Sequence, residues 1–395
     1  MNLLLIGGTG VISSAVTAEA LKNNIEVTMV NRGQREIPNG VLLVKADKND
    51  YDTIAQVLAN KKFDAVCDFL CFTPEEISKS FNFYKTYCNQ YIFISSCAVY
   101  DTRKVSMCYE DSPKVLDMWD YSVEKWASEQ LLCKISQESN IPVTVVRPCV
   151  TYGDTRIPYG ITPPYGYHWT MCERILTGKP IIRWNKGENK CNMMRVEDFA
   201  TAFVGLLGNP KAYGEAFNIC GDETPSFNEV LECVGEYLGK SINTVDISSD
   251  FYAKNLPSRA GEILGGRSID AINSNEKIKS IVPNIAPNIS LKDGIFKTLE
   301  AYKSHNYQKG ISFAFDGECD RIISKWCKKN GISIKGMSLK FVDYLGTASR
   351  KDRISYFLER YKDNCFIVFF LFIRRCKNKM KRILKSVIYC LKKQG

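Results

Sequence analysis

The 395-residue sequence contains only two histidines, and none of its sixteen cysteines forms a Cys-x-x-Cys pair. Without paired or metal-like spacing, the cysteines predict single buried thiols rather than a metal site or a disulfide framework. Even the closest pair, Cys67 and Cys71, lies on or just after an apolar strand. Because unpaired thiols persist in reducing compartments, we expect a cytoplasmic protein with no metal in its site.

Targeting signals and long apolar segments are also missing. The N-terminus has no basic region and no cleavage pattern, so we expect no secretory leader. Residues 365–373 form an apolar run near the C-terminus, but it has only about half of the ~20 residues that a membrane-spanning helix needs. A content of 45% hydrophobic and 24% charged residues is that of an ordinary globular protein.

The positive charge is confined to the C-terminal part of the sequence. Residues 331–395 hold 16 Lys and Arg against 4 Asp and Glu, whereas the whole chain has a net charge of +10. Residues 1–330 therefore carry a net charge of −2. Since this main part has no basic footprint, we expect no nucleic acid as its partner.

Residues 3–13 form the pattern around which the rest of the sequence is arranged. Four aliphatic residues are typical of a strand buried on both faces, and three glycines then allow a tight turn before a helix. Backbone N–H groups of such a turn can hold a pyrophosphate. Ser13 stands where the usual fingerprint has a third glycine, and an aliphatic strand at 26–30 completes a βαβ unit. The predicted dinucleotide-binding residues of this unit are Gly7, Gly8, Thr9, Gly10, Val11 and Ile12.

Two further positions bear on the identity of the dinucleotide. Asn31 and Arg32 end the second strand, where the adenosine ribose would lie. An acid there would bind the ribose 2′-OH, whereas an arginine accommodates a 2′-phosphate. We therefore expect NAD or NADP as the cofactor, with a slight lean to NADP. Asp47, just beyond a third strand, is placed to meet the adenine amino group, although an exposed loop acid fits its position equally.

Strand and helix patterns alternate as far as Arg147, which predicts an α/β doubly wound parallel sheet, the Rossmann fold. A stretch rich in Pro, Gly and Tyr follows, and such stretches usually build a substrate lobe. We expect a dinucleotide-binding domain with the catalytic residues over 1–155. A smaller substrate lobe is expected over 156–330, with some segments returning to the first domain, and a basic helical tail over 331–395.

Ser96, Tyr121 and Lys125 are the predicted catalytic residues. Ser96 follows the fifth strand, and Tyr121 and Lys125 lie four apart on one helix face. An ammonium beside a phenol lowers the phenol pKa from about 10 toward the working pH. In this proton relay Tyr121 moves a hydroxyl proton, Lys125 tunes it and holds the nicotinamide ribose, and Ser96 orients the substrate oxygen. Taken alone, the Tyr-x-x-x-Lys spacing favours a surface helix pair, and the glycine turn and the serine after the fifth strand are what point to the relay.

At these positions the sequence resembles the extended short-chain dehydrogenases/reductases, namely the nucleotide-sugar epimerases and dehydratases. The resemblance covers about residues 1–305. It implies that Ser96, Tyr121 and Lys125 are the catalytic triad and that the Arg147-Pro148 segment borders the nicotinamide and the sugar. The segments that carry it are Gly7-Gly8-Thr9-Gly10, Ser95 to Tyr100, Tyr121-x-x-x-Lys125, Arg147-Pro148, Thr151-Tyr152-Gly153, Val196-Glu197-Asp198 and Phe217-Asn218-Ile219.

Departures from the family pattern bear on the substrate. Residues 70–72 replace the small pair that often follows the fourth strand. Cys191 stands where many sugar-nucleotide enzymes have an arginine for the diphosphate, so Arg183 or Arg195 would have to serve. His168, in the aromatic loop, is a further candidate for contact with the sugar, although a structural histidine fits as well.

The residues after Ser96 narrow the reaction. Cys97 and Ala98 occupy the places where the resembling dehydratases have Asp-Glu, and neither can shuttle the proton that dehydration requires. We therefore expect an NAD(P)-dependent sugar-modifying oxidoreductase or epimerase that reversibly oxidises a hydroxyl, with a nucleotide-sugar as the substrate. The competing hypothesis is a non-catalytic member that uses the fold to bind RNA or protein. The missing small pair favours that hypothesis, and the intact relay argues against it.

The tail beyond Gly331 lies outside the resemblance. Its apolar run is followed at once by basic residues, and a basic amphipathic helix is predicted beyond them. Such a helix favours peripheral contact with an anionic membrane, while a helix packed on the protein's own body fits equally. A homodimer is a further partner hypothesis. The apolar stripe of the predicted helix consists of Met380, Ile383, Leu384, Val387, Ile388 and Leu391.

Overall fold

The computed structural model describes residues 1–115, 117–282, 285, 289–306 and 310–364. The predicted amphipathic helix over 380–391 therefore lies outside the described residues. In chain order the strands are β1 (Asn2–Ile6), β2 (Glu26–Asn31), β3 (Val41–Lys45), β4 (Ala65–Asp68), β5 (Tyr91–Ile94), β6 (Val143–Pro148), β7 (Val150–Tyr152), β8 (Ile181–Arg183), β9 (Met193–Arg195), β10 (Ala216–Ile219) and β11 (Thr244–Asp246).

The α-helices of the described chain range from three to eighteen residues in length. They are α1 (Val11–Lys22), α2 (Tyr51–Leu58), α3 (Pro74–Tyr84), α4 (Asp120–Gln137), α5 (Trp169–Leu176), α6 (Val196–Val204), α7 (Phe227–Leu238), α8 (Ser249–Asn255), α9 (Ala260–Glu262), α10 (Glu276–Ile281), α11 (Leu291–Ser304), α12 (Phe313–Lys329) and α13 (Arg350–Arg360).

A seven-stranded sheet organises the nucleotide lobe. Its order is β10-β6-β5-β4-β1-β2-β3, and every neighbouring pair is parallel. Strands β4 and β5 are buried along their whole length, as their apolar sequences require. Helices α1 and α6 cover one face, and α2, α3 and α4 cover the other. The predicted doubly wound parallel sheet is therefore confirmed.

The chain order reverses between β1 and β4, which are neighbours in the sheet. At such a switch point the two flanking connections leave to opposite faces and open a crevice at the carboxyl ends of the strands. The turn after β1 and the residues after β4 and β5 therefore border this crevice. This topology explains why segments far apart in the sequence meet at one site.

A second core fills the substrate lobe. It is built mainly from α5, α7, α8, α11 and α12 and from the parallel pair of β8 and β11. The chain does not stay in this lobe, because α6 and β10 pack with the nucleotide lobe. β10 supplies the edge strand of the large sheet beside β6.

Residues 331–364 pack on the substrate lobe. Helix α13 crosses α12 so closely that a Cβ on Gly317 would stand 2.4 Å from the carbonyl oxygen of Tyr356. Beneath the crossing, Asp320 accepts hydrogen bonds from Arg174 (2.9 Å), Lys179 (2.7 Å) and Tyr356 (2.7 Å). Within the described ranges, no helix is both long enough and apolar enough to cross a bilayer.

Candidate active site

A cleft of about 1850 Å³ runs along the carboxyl ends of the strands and is lined by both lobes. Pockets for one small ligand seldom exceed roughly 1,000 Å³, so this cleft has room for two ligands side by side. All the predicted cofactor and catalytic residues except Gly8 line it. These are Gly7, Thr9, Gly10, Val11, Ile12, Asn31, Arg32, Asp47, Ser96, Tyr121, Lys125 and Pro148.

The glycine turn has the conformation that its sequence predicts. Gly7 and Gly8 have φ angles of 112° and 85°, which favour glycine. A Cβ on Gly8 would stand 2.4 Å from the side chain of Met29, so this glycine is needed for close packing beneath the turn. The hydroxyl of Ser13 accepts a hydrogen bond from the Gly10 N–H (2.8 Å). Ser13 thus fixes the start of α1, where a third glycine could not form this bond.

The side chain of Asn31 braces the turn. Its amide donates to the carbonyl oxygen of Gly7 and to the hydroxyl of Thr9, both at 2.9 Å, and its oxygen accepts from the Gly33 N–H. Because of these bonds, the side-chain amide of Asn31 is not available to hydrogen-bond the adenosine. Arg32 is exposed on the cleft wall.

A second arginine joins Arg32 at this end of the cleft. Arg35 lines the cleft and donates a hydrogen bond to the carbonyl oxygen of Thr9. Asp47 is exposed, and its carboxylate accepts from the Asn49 N–H (3.1 Å) in its own loop. Two arginines therefore line the adenosine end of the cleft beside this loop acid.

The structure brings Ser96, Tyr121 and Lys125 together. Tyr121 and Lys125 lie in the first turns of α4, and Ser96 follows β5, where its hydroxyl accepts from the Ala98 N–H (3.1 Å). Ser96 lies close enough to the Tyr121 phenol to influence its pKa. The ammonium of Lys125 lies 5.9 Å from the centre of the Tyr121 ring and donates to the carbonyl oxygens after β4 and at the end of β5 (2.6 and 2.8 Å).

The pKa of Tyr121 is raised above its usual value because the phenol is buried. The nearby Ser96 side chain and the charge of Arg156 act on this pKa in the opposite direction. The predicted lowering of this pKa by Lys125 is therefore wrong for this structure. Burial also lowers the pKa of Lys125 to about 8. Both shifts have the same physical cause, since desolvation disfavours each charged form.

A buried ion pair holds β5, β6 and α4 together behind these residues. Arg147 donates to both carboxylate oxygens of Glu129 (3.0 and 2.6 Å), and Ser95 donates to the same carboxylate (2.5 Å). Arg147 also donates to the Tyr100 hydroxyl (2.7 Å). Bidentate pairs of this kind fix geometry as well as charge, so the ion pair sets the position of the segment that carries Ser96.

Comparison with known proteins fits this geometry. The model of the NAD dependent epimerase/dehydratase family matches residues 3–220. The chain belongs to this family. The predicted family resemblance is therefore confirmed, and the cofactor is a nicotinamide dinucleotide.

Individual relatives of this family differ in their described roles. The chain is 29% identical over 243 residues to the chloroplast stem-loop binding protein of 41 kDa b from Arabidopsis thaliana, which is 58% of this chain and 60% of that relative. It is 20% identical over 258 residues to 2′-dehydrokanamycin reductase from Streptomyces kanamyceticus, 65% of this chain and 72% of the reductase.

A solved member of the fold is the UDP-glucuronic acid 4-epimerase from Bacillus cereus in complex with UDP-glucuronic acid and NAD. It superposes with a TM-score of 0.60 at 18% identity, over 77% of this chain and 100% of the epimerase. At this identity the likeness shows the fold alone.

The family cofactor fits the residues that line the cleft. The glycine turn presents backbone without side chains at the positive end of α1, as a pyrophosphate requires. In place of the family's small pair, Leu70 and Phe72 line the cleft, and the carbonyl of Cys71 holds the ammonium of Lys125. The Phe72 ring lies 4.7 Å from this ammonium. Although the residues after β4 differ from the family pattern, Lys125 is therefore still held in position.

The three predicted substrate residues lie outside the cleft lining. His168 is 2% exposed, accepts from the Ile157 N–H (3.1 Å), and has its pKa lowered to about 3 by burial. Arg183 pairs with Asp246 (2.9 Å). Arg195 is fully buried, and its guanidinium is held by two acids, Asp154 and Glu197 (2.8 and 2.7 Å). The prediction that these residues contact the substrate is therefore corrected, because none of them lines the cleft and each side chain is already bonded to other residues of the chain.

In this chain, three other arginines line the substrate end of the cleft. Arg156 donates to Tyr165 (3.3 Å), and Arg259 donates to the Thr162 hydroxyl (2.9 Å). Arg267 ends a π-helical turn over residues 263–267, and the Nη1 atom of its buried guanidinium has no hydrogen-bond partner among the described residues. In the sequence, the pair of glycines directly before Arg267 is the pattern that could have indicated its place in the site.

The glycine pair allows an aromatic ring to pack closely against this turn. A Cβ on Gly266 would stand 2.8 Å from the ring of Trp119, and a Cβ on Gly261 would meet the same residue. The Trp119 ring also lies 5.5 Å from that of Tyr121. Trp119 therefore connects the segment that carries Arg267 with the start of α4.

Proposed function

We propose that this chain is an NAD(P)-dependent epimerase or keto-reductase that reversibly oxidises a hydroxyl of a nucleotide-sugar. Ser96, Tyr121 and Lys125 are its catalytic residues. The observation that carries the proposal is that Ser96, Tyr121 and Lys125, whose ammonium lies 5.9 Å from the centre of the Tyr121 ring, line the same cleft as the glycine turn.

The residues divide the work of proton transfer. A bound nicotinamide supplies the hydride acceptor and donor of the reaction. Tyr121 takes the proton of the substrate hydroxyl and returns it to the carbonyl oxygen in the reverse step. Ser96 donates to the same substrate oxygen and orients it. Because burial opposes formation of the phenolate, the positive charge of Arg156 is needed to stabilise it.

Lys125 has one ammonium N–H beyond those that its two carbonyl partners occupy. This third donor is available to hold the nicotinamide ribose. The two carbonyl bonds, one from each neighbouring strand end, fix the ammonium between the cofactor side of the cleft and Tyr121. Lys125 thus serves as an electrostatic and positioning group, while Tyr121 moves the proton.

The substrate end of the cleft supports a diphosphate. Arg156, Arg259 and Arg267 supply three positive charges against the one carboxylate of Glu262, which pairs with Arg259 at 3.2 Å, and Arg267 has a donor that no described residue accepts. An unsatisfied buried donor costs about 1–3 kcal/mol, which an anionic oxygen would offset. Dehydration is disfavoured because Cys97 donates to the Arg147 carbonyl (3.2 Å) and burial raises its pKa well above the usual value.

Binding of a nucleic-acid stem-loop is a second candidate function. The likeness to the chloroplast stem-loop binding protein favours it. A chain that used the fold only for such binding would have no need of the relay. The two functions therefore differ in whether a nicotinamide dinucleotide binds and whether Tyr121 is required.

Tyr121→Phe tests the proposed function. We expect turnover of UDP- and dTDP-sugars to fall at least about a hundredfold, because the proton has no acceptor, while cofactor binding persists. Tyr84→Phe is the matched control, since this buried hydroxyl has no described partner and lies outside the cleft lining. Unchanged turnover in the Tyr121 variant would refute the assignment, and so would failure of the purified chain to bind NAD(H) or NADP(H).

A further inference from the structure

The outer face of α13 presents apolar side chains to solvent. Ile354, Phe357 and Tyr361 are 47%, 46% and 49% exposed, and their spacing places them on one stripe. On the opposite side, Tyr356 is buried and donates to Asp320 (2.7 Å). The inner side therefore fixes the helix to the substrate lobe, and the stripe is left for another contact.

Basic residues flank this stripe. Arg350, Lys351 and Arg353 lie within one turn of Ile354, and all three are exposed. Arg353 also pairs with Asp343 (2.6 Å), and the acid within this turn, Asp352, forms the capping box at the start of α13. An apolar stripe bordered by cations is the pattern of a surface helix that binds an anionic interface.

The sequence after α13 continues the same chemistry. Residues 365–373 are nine consecutive apolar residues, and residues 365–395 contain nine Lys and Arg with no Asp or Glu. A nucleic acid would use the cations but has no use for an uninterrupted apolar run. A phospholipid bilayer uses both, since apolar insertion and attraction to anionic headgroups add together.

We propose that the outer face of α13, together with residues 365–395, binds the surface of an anionic phospholipid bilayer. The apolar stripe inserts at the headgroup boundary, and the flanking cations contact the lipid phosphates and carboxylates. The bonds between α13 and the substrate lobe hold the catalytic body at that surface. This inference does not depend on the proposed reaction.

Vesicle flotation tests the proposed surface. We expect the full chain to float with phosphatidylcholine vesicles that contain phosphatidylserine at low salt, to stay behind with phosphatidylcholine alone, and to be released by high salt. Ile354→Glu should reduce the bound fraction at least about tenfold. Ile332→Glu is the matched control, because this side chain is 44% exposed in the same extension but lies off α13.

A second variant ends the chain after Asn364. It retains Tyr344 and Tyr356, which donate to the buried carboxylates of Asp316 and Asp320 (2.9 and 2.7 Å), so the lobe keeps these contacts. This variant should remain with the soluble fraction. Ending the chain at residue 330 would remove both tyrosines. A loss of membrane binding could then not be told apart from a loss of packing in the substrate lobe.

Several outcomes would overturn the inference. They are a full chain that stays off anionic vesicles at low salt, equal binding by the Ile354 and Ile332 variants, and flotation of the shortened chain. Retention of a stem-loop RNA without flotation would assign the cations to nucleic acid instead. A dimer that Ile354→Glu dissociates, again without flotation, would assign the stripe to a second copy. Sugar turnover should be the same in the Ile354 variant and wild type, so failure of this inference and failure of the proposed function are distinguishable.

Discussion

Arg267 is a cleft cation with an unsatisfied donor. Burial lowers the pKa of its guanidinium, and its nearest acid, Glu262, lies 3.6 Å away. One of its nitrogens has no partner among the described residues. A charged group in this condition favours an anionic ligand, because the ligand supplies both the counter-charge and the missing acceptor.

Replacing Arg267 with Gln should therefore weaken substrate binding more than chemistry. We expect KM for the nucleotide-sugar to rise about 10- to 100-fold, from loss of a charge-assisted hydrogen bond, with a smaller change in kcat. Arg183→Gln is the control, since Arg183 pairs with Asp246 outside the cleft lining. Equal KM values for the two variants would remove Arg267 from the substrate site.

Local spacing predicts some residues of the site and misses others. Tyr121 and Lys125 could be paired because four residues on one helix fix their relative position. The arginines could not be assigned this way, because Arg195 meets Asp154, which only the fold brings near, whereas Arg267 depends on a turn packed against Trp119. The direction of the Tyr121 pKa shift was missed for the same reason, since burial is a property of the folded lobes.

At the scale of elements, the end of β2 bears on which dinucleotide binds. The side chain of its last residue, Asn31, is hydrogen-bonded to the glycine turn, and Arg32 and Arg35 line the cleft nearby. Because no acid ends β2, NADP(H) should bind at least as tightly as NAD(H). Arg32→Ala should weaken NADP(H) about tenfold and leave NAD(H) nearly unchanged. Fluorescence titration measures both affinities, and a strong wild-type preference for NAD(H) would contradict this expectation.

The elements differ in how well the sequence predicts them. Strands β1 to β6 follow from apolar runs and turn residues, and the parallel sheet follows from their alternation with helices. β7, β8, β9 and β11 have three residues each, too few for a periodic pattern. β10 pairs with β6 although segments of the substrate lobe lie between the two strands in the sequence. Tertiary packing therefore decides which strand β10 pairs with.

At the scale of the whole molecule, a buried cluster joins the extension to the substrate lobe. Arg174 and Lys179 face Asp316 and Asp320, and the side chains of all four are at most 1% exposed. Two positive and two negative charges balance, and Tyr344 and Tyr356 donate to the carboxylates. Removing one carboxylate would leave an uncompensated buried cation.

Asp320→Asn should therefore destabilise the molecule as a whole. Breaking a buried pair costs about 3–5 kcal/mol, so we expect Tm to fall by at least about 5 °C. Glu236→Gln is the control, because its pair with Lys292 is more than half exposed on both sides and should contribute little. Thermal unfolding followed by circular dichroism compares the variants. Equal Tm values would show that the cluster does not join the two parts energetically.

The edge position of β10 has a consequence for biosynthesis. About seventy residues separate the end of β6 from the end of β10, which at ribosomal speeds takes roughly 4–14 s to translate. During that interval the nascent sheet ends at β6, with unpaired N–H and C=O groups along an apolar strand. The growing polypeptide is therefore exposed to wrong pairing at this edge until β10 is made, and β10 is made only after β7, α5, β8, β9 and α6.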